Sequence, residues 1–188
     1  MNIVEPVQRN RIHPYKFNLW IAIGSMLMMF AGLTSAYIVK RNQSNWVDYE
    51  LPAAFWFSTI AMVLSSVTLI LAKRSFKEKA MPAYRRYVFI TLILGTLFVV
   101  LQVYGFSTMW KSGLTHNSTV SVSFLYVIVG LHALHVAGGL VALILLALKA
   151  FNRKVKTYSS IPVELVATYW HFVDLLWIYL LVFLVMIR

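Results

Sequence analysis

Residues 122–148 read VSFLYVIVGLHALHVAGGLVALILLAL and contain no Lys, Arg, Asp or Glu. A run of this length exceeds the roughly 20 residues that an α-helix needs to cross the hydrocarbon of a bilayer. It also lacks the period-two alternation, over about ten residues, that a barrel strand would show. Working outward, four more runs of the same kind appear at Phe17 to Val39, Ala53 to Ala72, Tyr87 to Trp110 and Val163 to Ile187. The expected fold class is therefore all-α, an integral membrane bundle of five transmembrane helices forming one domain over residues 1–188. Composition agrees: the chain is 60% hydrophobic and 12% charged, with a mean hydropathy of +0.74, more apolar surface than a soluble globule of this size can hide. What remains is a polar arm at residues 1–16 and four short links, too little for a separate soluble domain.

Seventeen Lys and Arg against six Asp and Glu give a net charge of +11. The basic residues sit in short runs between apolar segments, which reads as membrane topology and not as nucleic-acid binding. Arg9, Arg11 and Lys16, then Lys73, Arg74, Lys77, Lys79, Arg85 and Arg86, then Lys149, Arg153, Lys154 and Lys156 fall on one side. Lys40, Arg41, Lys111 and Arg188 fall on the other, so the positive-inside rule places the N-terminus inside and the C-terminus outside. The first span, longer than the apolar core of a signal peptide, is expected to be an uncleaved anchor. Internal repeats of the kind many transporters carry are absent. Two glycosylation-type triplets, Asn42-Gln43-Ser44 and Asn117-Ser118-Thr119, read as coincidences in polar loops. With no cysteine, disulfides, thiolate zinc sites, iron–sulfur clusters and cysteine nucleophiles are excluded for this chain.

Ionisable residues inside a span are costly and mark sites. Spans one to three have none in their interiors, whereas span four has His132 and His135, and span five has Glu164, His171 and Asp174. His132 and His135 lie about 60° apart on one helical face, with Gly139 and Ala142 on the same stripe; Glu164 and His171 are nearly in register, with Asp174 about 60° away. Antiparallel helices would bring His135 and Asp174 to similar depth, which makes them the expected interhelical pair. Four readings compete: a metal or haem site, a proton relay, a contact with lipid or a partner helix, and a purely structural polar network joining the two spans. The first lacks the ligand order of known helical metal sites, and the second lacks carboxylates elsewhere in the bilayer. Weight therefore falls on the third and fourth, with no catalytic residue and no metal ligand assigned. Tyr169, Trp170 and Trp177, like Trp20, Trp46, Trp56 and Trp110, read as interfacial aromatic anchors. Gly130, Ala133 and Ala137 offer a close helix contact. Met26, Met28, Met29 and Met62 read as packing or lipid-facing residues, not copper ligands.

Two stretches carry a resemblance. Gly130-Leu131-His132-Ala133-Leu134-His135-Val136, followed by Glu164 and then Tyr169-Trp170-His171-Phe172-Val173-Asp174-Leu175-Leu176-Trp177, resembles subunit III of the haem-copper oxidases, the cytochrome c oxidase subunit III family. Gly32 to Tyr37 is a weaker match to the helix preceding that family's first outer loop. The likeness covers essentially the whole chain, in the five-helix form that lacks two N-terminal helices of longer members. It implies a non-catalytic accessory subunit of a respiratory oxidase that reduces oxygen and drives proton translocation, in a bacterial cytoplasmic (inner) membrane. It further implies no cofactor bound by this chain, haem and copper in partner subunits, contact with subunit I alongside subunit II, and bound phospholipid. Cytochrome c and quinol both remain open as electron donor, and a stand-alone transporter or metal enzyme using the His and carboxylate cluster is the rival class. One departure stands out: many members carry a carboxylate near the position of Met26, and this chain has no Asp or Glu from Pro6 to Val47.

Overall fold

A computed structural model describes residues 14–41, 51–113, 120–151 and 160–187. The arm at 1–13, both glycosylation-type triplets, and Arg9, Arg11, Trp46, Arg153, Lys154, Lys156 and Arg188 lie outside the described residues. Five helices follow in order: α1 Pro14–Arg41, α2 Ala53–Lys77, α3 Met81–Lys111, α4 Val120–Phe151 and α5 Ser160–Ile187. Each is long and apolar enough to cross a membrane, as the sequence predicts.

Proline marks four of the five helix starts. Pro14 opens α1, Pro52 caps α2 with φ −55°, Pro82 sits in the first turn of α3, and Pro162 in that of α5. These are the positions where a missing N–H costs nothing and a fixed φ assists entry into the helix.

The helices outrun the apolar segments, and between α2 and α3 the extensions nearly meet. α2 continues through Lys73, Arg74 and Lys77, and α3 begins at Met81, ahead of Arg85 and Arg86, so the expected 14-residue link shrinks to Glu78, Lys79 and Ala80. Lys and Arg are good helix formers whose long stems reach past the hydrocarbon edge, and cations suit a helix C-terminus. The end of α2 is closed by two backbone bonds, Ala80 N–H to Ser75 O at 2.9 Å and Lys79 N–H to Phe76 O at 3.1 Å. This Schellman closure needs a left-handed residue, and Lys79 supplies it at φ 59° in place of the usual glycine.

α5 is the most buried helix and packs on α1, α2 and α4; α3 packs on α2 and α4, and α4 also meets α1. α1 is the least buried and does not pack on α2. The outer faces present Leu, Ile, Val and Phe, as hydrocarbon contact demands. The core is aromatic: Trp170, Trp177, Phe30, Phe55, Phe98 and Tyr37 are all fully or almost fully buried.

Candidate functional site

Two indoles of α5 organise the interior. Trp170 and Trp177 are each 0% exposed, so the expectation that they anchor the chain at a membrane surface is corrected. The Trp170 N–H donates to Ser65 Oγ and the Trp177 N–H to Thr59 Oγ1, each at 2.9 Å. Both acceptors are on α2, and an indole that finds a buried acceptor has no need of the water interface. The Trp170 ring lies between Gly95 of α3 and Gly139 of α4; a Cβ at either position would come within 2.8 or 3.1 Å of it. The room beside Gly139 is thus filled by an α5 side chain. Tyr169 is partly buried and its hydroxyl donates to the carbonyl of His135 at 2.9 Å. Among the described residues Trp20, Trp56 and Trp110 are the exposed tryptophans, each near a helix end.

The five polar residues expected to form one network separate into four environments. His132 is buried at 1% exposure, stacked on Trp177 at 5.2 Å and edged by Phe30 and Phe98, each at 6.3 Å. Neither of its ring nitrogens has a hydrogen-bond partner among the described residues. His135 turns back on its own helix, with Nδ1 2.7 Å from the Leu131 carbonyl, so Nδ1 carries the hydrogen. His171 Nδ1 meets Ser66 Oγ of α2 at 2.5 Å. The Asp174 carboxyl lies near the same hydroxyl, and its Oδ1 is buried without a hydrogen-bond partner among the described residues. The anticipated His135–Asp174 pair is therefore absent. Depth matching was sound, but Asp174 shares the α2-facing side of α5 with His171, leaving Tyr169 to meet α4. Glu164 pairs with neither span-four histidine and instead accepts from Lys16 of α1 at 2.6 Å.

Sequence reasoning missed the partners on the other helices. Lys16 was counted only as a topology charge, yet it forms the ion pair that joins α1 to α5. Ser58, Thr59, Ser65 and Ser66 passed unnoticed on α2. Gln102 of α3 donates to Ser58 at 2.9 Å, so all four hydroxyls engage another helix. The spacing carried a signal, since 58/65 and 59/66 are seven apart and recur on one helical face. The small-residue contact expected at Gly130, Ala133 and Ala137 is not used inside the chain: Gly130 has nothing within 4 Å of a built Cβ, and Ala137 is exposed. Met26 and Met62 are buried and Met28 is exposed.

At the Glu164 end, a cleft of about 200 Å³ is lined by Lys16, Leu19, Trp20, Lys73, Glu164 and Thr168. Farther along the same helices, an apolar groove of about 300 Å³ runs between α1 and α5. Among the described residues no three His, Asp or Glu side chains converge as a metal site would require. The arrangement suits adhesion between helices and to ligands at the bundle surface.

The family model for Cytochrome c oxidase subunit III matches residues 15–187. A probable cytochrome c oxidase subunit 3 from Nocardia farcinica is 33% identical over 175 residues, covering 90% of this chain and 86% of that protein. One from Mycobacterium leprae is 32% identical and covers 95% of this chain and 91% of its own length. The cytochrome c oxidase subunit 3 of Bacillus subtilis is 28% identical, with 86% and 80% covered. A match spanning every described helix, on a five-helix bundle built around the two quoted motifs, settles the assignment: the chain belongs to the cytochrome c oxidase subunit III family.

Proposed function

We propose that this chain serves its haem-copper oxidase by binding alone, as an accessory subunit with no catalytic centre and no cofactor of its own. Haem and copper belong, on this reading, to partner subunits. The observation that supports it is the fate of the polar residues in spans four and five. Glu164 is taken up by Lys16, His171 by Ser66, His135 by its own helix, and His132 by a cage of aromatic rings, with Asp174 buried near Ser66. Groups spent on holding helices together make a stiff frame, which is what a subunit needs to steady a larger neighbour. The chain would lie in a bacterial inner membrane with its N-terminus and basic links inside, against subunit I and close to subunit II, with phospholipid bound at its surface. The names of its relatives favour cytochrome c as the donor to the complex.

The test is a mild-detergent purification of the tagged full chain, followed by a visible spectrum and subunit mass analysis. Haem absorption together with two larger redox subunits is the expected result, and haem c in the same particle would favour cytochrome c over quinol. A chain that purifies alone and either conducts ions or carries its own chromophore would overturn the reading.

A further inference from the structure

The turn between α2 and α3 is closed by its own backbone. Every N–H from Glu78 to Met81 donates: Glu78 to Arg74 O at 3.0 Å, Lys79 to Phe76 O at 3.1 Å, Ala80 to Ser75 O at 2.9 Å and Met81 to Lys79 O at 3.0 Å. Behind the turn the rings of Phe76 and the buried Tyr84 meet edge to face at 5.1 Å, and farther back the hydroxyls of Thr68 and Thr91 join the helices at 2.8 Å. The two helix ends form one rigid unit.

That unit stands out of the bilayer. Lys77 lies five residues beyond Ala72, where the apolar run of α2 stops, and Met81 lies six residues before Tyr87, where that of α3 starts. At 1.5 Å per residue these extensions measure about 7.5 and 9 Å. A headgroup layer is about 5–7 Å deep on each side of the hydrocarbon. Lys77 and Lys79, both exposed, therefore sit at or past its outer limit, whereas Arg85 and Arg86 stay within it.

The chain cannot neutralise this tip from its own side chains. Its six carboxylates are Glu5, Asp48, Glu50, Glu78, Glu164 and Asp174. Glu78 holds Arg74 at 2.9 Å, Glu164 holds Lys16 at 2.6 Å, and Asp174 is buried within the bundle. Asp48 and Glu50 immediately precede α2, whose 25 residues put about 37 Å of helix between them and the tip. Only Glu5 is left for Lys77, Lys79, Arg85 and Arg86, and Arg9 and Arg11 follow it closely in sequence. Lys79 moreover stands against the preference of its backbone, at φ 59°, where glycine is at ease and a Cβ is crowded.

We propose that the α2–α3 tip is a docking surface for an acidic segment of another subunit on the inner side of the membrane, with Lys77 and Lys79 facing its carboxylates. This deepens the accessory-subunit reading and rests on it, since the partner belongs to the complex. A rigid cationic tip clear of the headgroups suits a protein acceptor, because lipid phosphates lie lower, at the level of Arg85 and Arg86. Ion pairs at such a rim steer approach and fix register more than they add affinity.

The experiment treats the complex carried by the tagged full chain with a water-soluble carbodiimide, which joins a lysine amine to a carboxylate in direct contact, and maps the products by mass spectrometry. Lys77 or Lys79 should be found linked to an Asp or Glu of a second chain. Links confined to Glu5, Glu78 or Glu164 of the same chain, or no link at either lysine, would overturn the proposal. Lys77→Gln with Lys79→Gly removes both charges. Association with the second chain should then weaken about tenfold at low salt, the conversion of about 1.4 kcal/mol for two rim pairs, and should match wild type near 1 M salt, where the screening length is about 3 Å. Lys79→Gly alone should hold or raise the melting temperature, because glycine fits the left-handed turn, so a weakened association is not a lost fold. Unchanged association in the double variant, or a loss reproduced in wild type by removing anionic lipid, would overturn the proposal in favour of the bilayer. The haem spectrum of the same preparation separates the two readings: haem without the link fails the tip alone, and a chain with neither haem nor companion fails both.

Discussion

Replacing Gly95 by alanine should be among the most damaging single-methyl additions in this protein. A Cβ built there lies 2.8 Å from Trp170 Cη2 and 2.9 Å from Cζ2, well inside carbon–carbon contact. The indole has nowhere to go, because a Cβ built at Gly139 on its other flank would already sit at 3.1 to 3.2 Å from Cε3 and Cζ3. Either α3 moves away from α5 or the ring tilts and stretches its 2.9 Å bond to Ser65. Overpacking of this kind costs about 1–3 kcal/mol, and stranding a buried indole N–H adds about 1–3 kcal/mol. The sum, roughly 2–6 kcal/mol, corresponds to a fall of roughly 4–24 °C in the melting temperature of a chain this size. The assay is thermal loss of helical circular dichroism for the purified chain, run as a double-mutant cycle with Trp170→Phe. Phenylalanine lacks both colliding atoms, so Gly95→Ala should be close to neutral in that background, with a coupling of about 2 kcal/mol or more. Simple additivity of the two substitutions would refute the steric argument.

His132→Phe should leave the melting temperature unchanged or raise it, because both ring nitrogens lack partners within an aromatic cage of matching shape; a loss above about 2 kcal/mol would mean that the imidazole has a partner. His135→Leu and Asp174→Leu should be additive in stability, since His135 bonds its own helix at Leu131 O and Asp174 lies near Ser66 of α2; rescue of one by the other would revive a pair between them. The chain has no cysteine, so single cysteines can read its topology without background. Lys79→Cys should react with an impermeant maleimide only from the inner side and Ser112→Cys only from the outer side; the reverse pattern would invert the proposed orientation.

The five spans were legible because continuous apolar length is a one-dimensional property, and the structure departs from them only at the ends. There the basic flanks of α2 and α3 stay helical and leave three connecting residues. The identity of the polar residues was legible too, since an ionisable side chain in hydrocarbon is conspicuous wherever it points. Their partners were not, because partnership depends on the rotation of α5 about its own axis, and the sequence leaves that angle free. Reading depth alone matched Asp174 to His135; the rotation observed turns Asp174 and His171 toward the hydroxyls of α2. The same ambiguity misplaced Trp170 and Trp177. A tryptophan beside a polar face fits an interface as well as a core until an acceptor such as Ser65 or Thr59 is found opposite its N–H.

Helices in lipid gain nothing from the hydrophobic effect when they meet, so contact must come from close packing and from polar groups that pair across helices. α5 uses both on α2, through two indole N–H bonds and the Ser66 hydroxyl, and uses glycine-lined slots on α3 and α4. Its hold on α1 is of another kind. One ion pair with partly exposed side chains, at 44% and 28%, one hydroxyl contact and the Tyr37–Phe183 ring pair at 5.4 Å leave between them a groove that no described side chain fills. Exposed ion pairs contribute about 0–1 kcal/mol, too little to fix a helix by themselves. An acyl chain of the surrounding bilayer lying in the groove would supply the missing dispersion contacts. It follows that stripping lipid should loosen α1 ahead of the other four helices. Hydrogen exchange in delipidated protein should rise first over residues 20–31 and stay low across 163–177; uniform exchange along all five helices would show that α1 is held by its protein contacts alone.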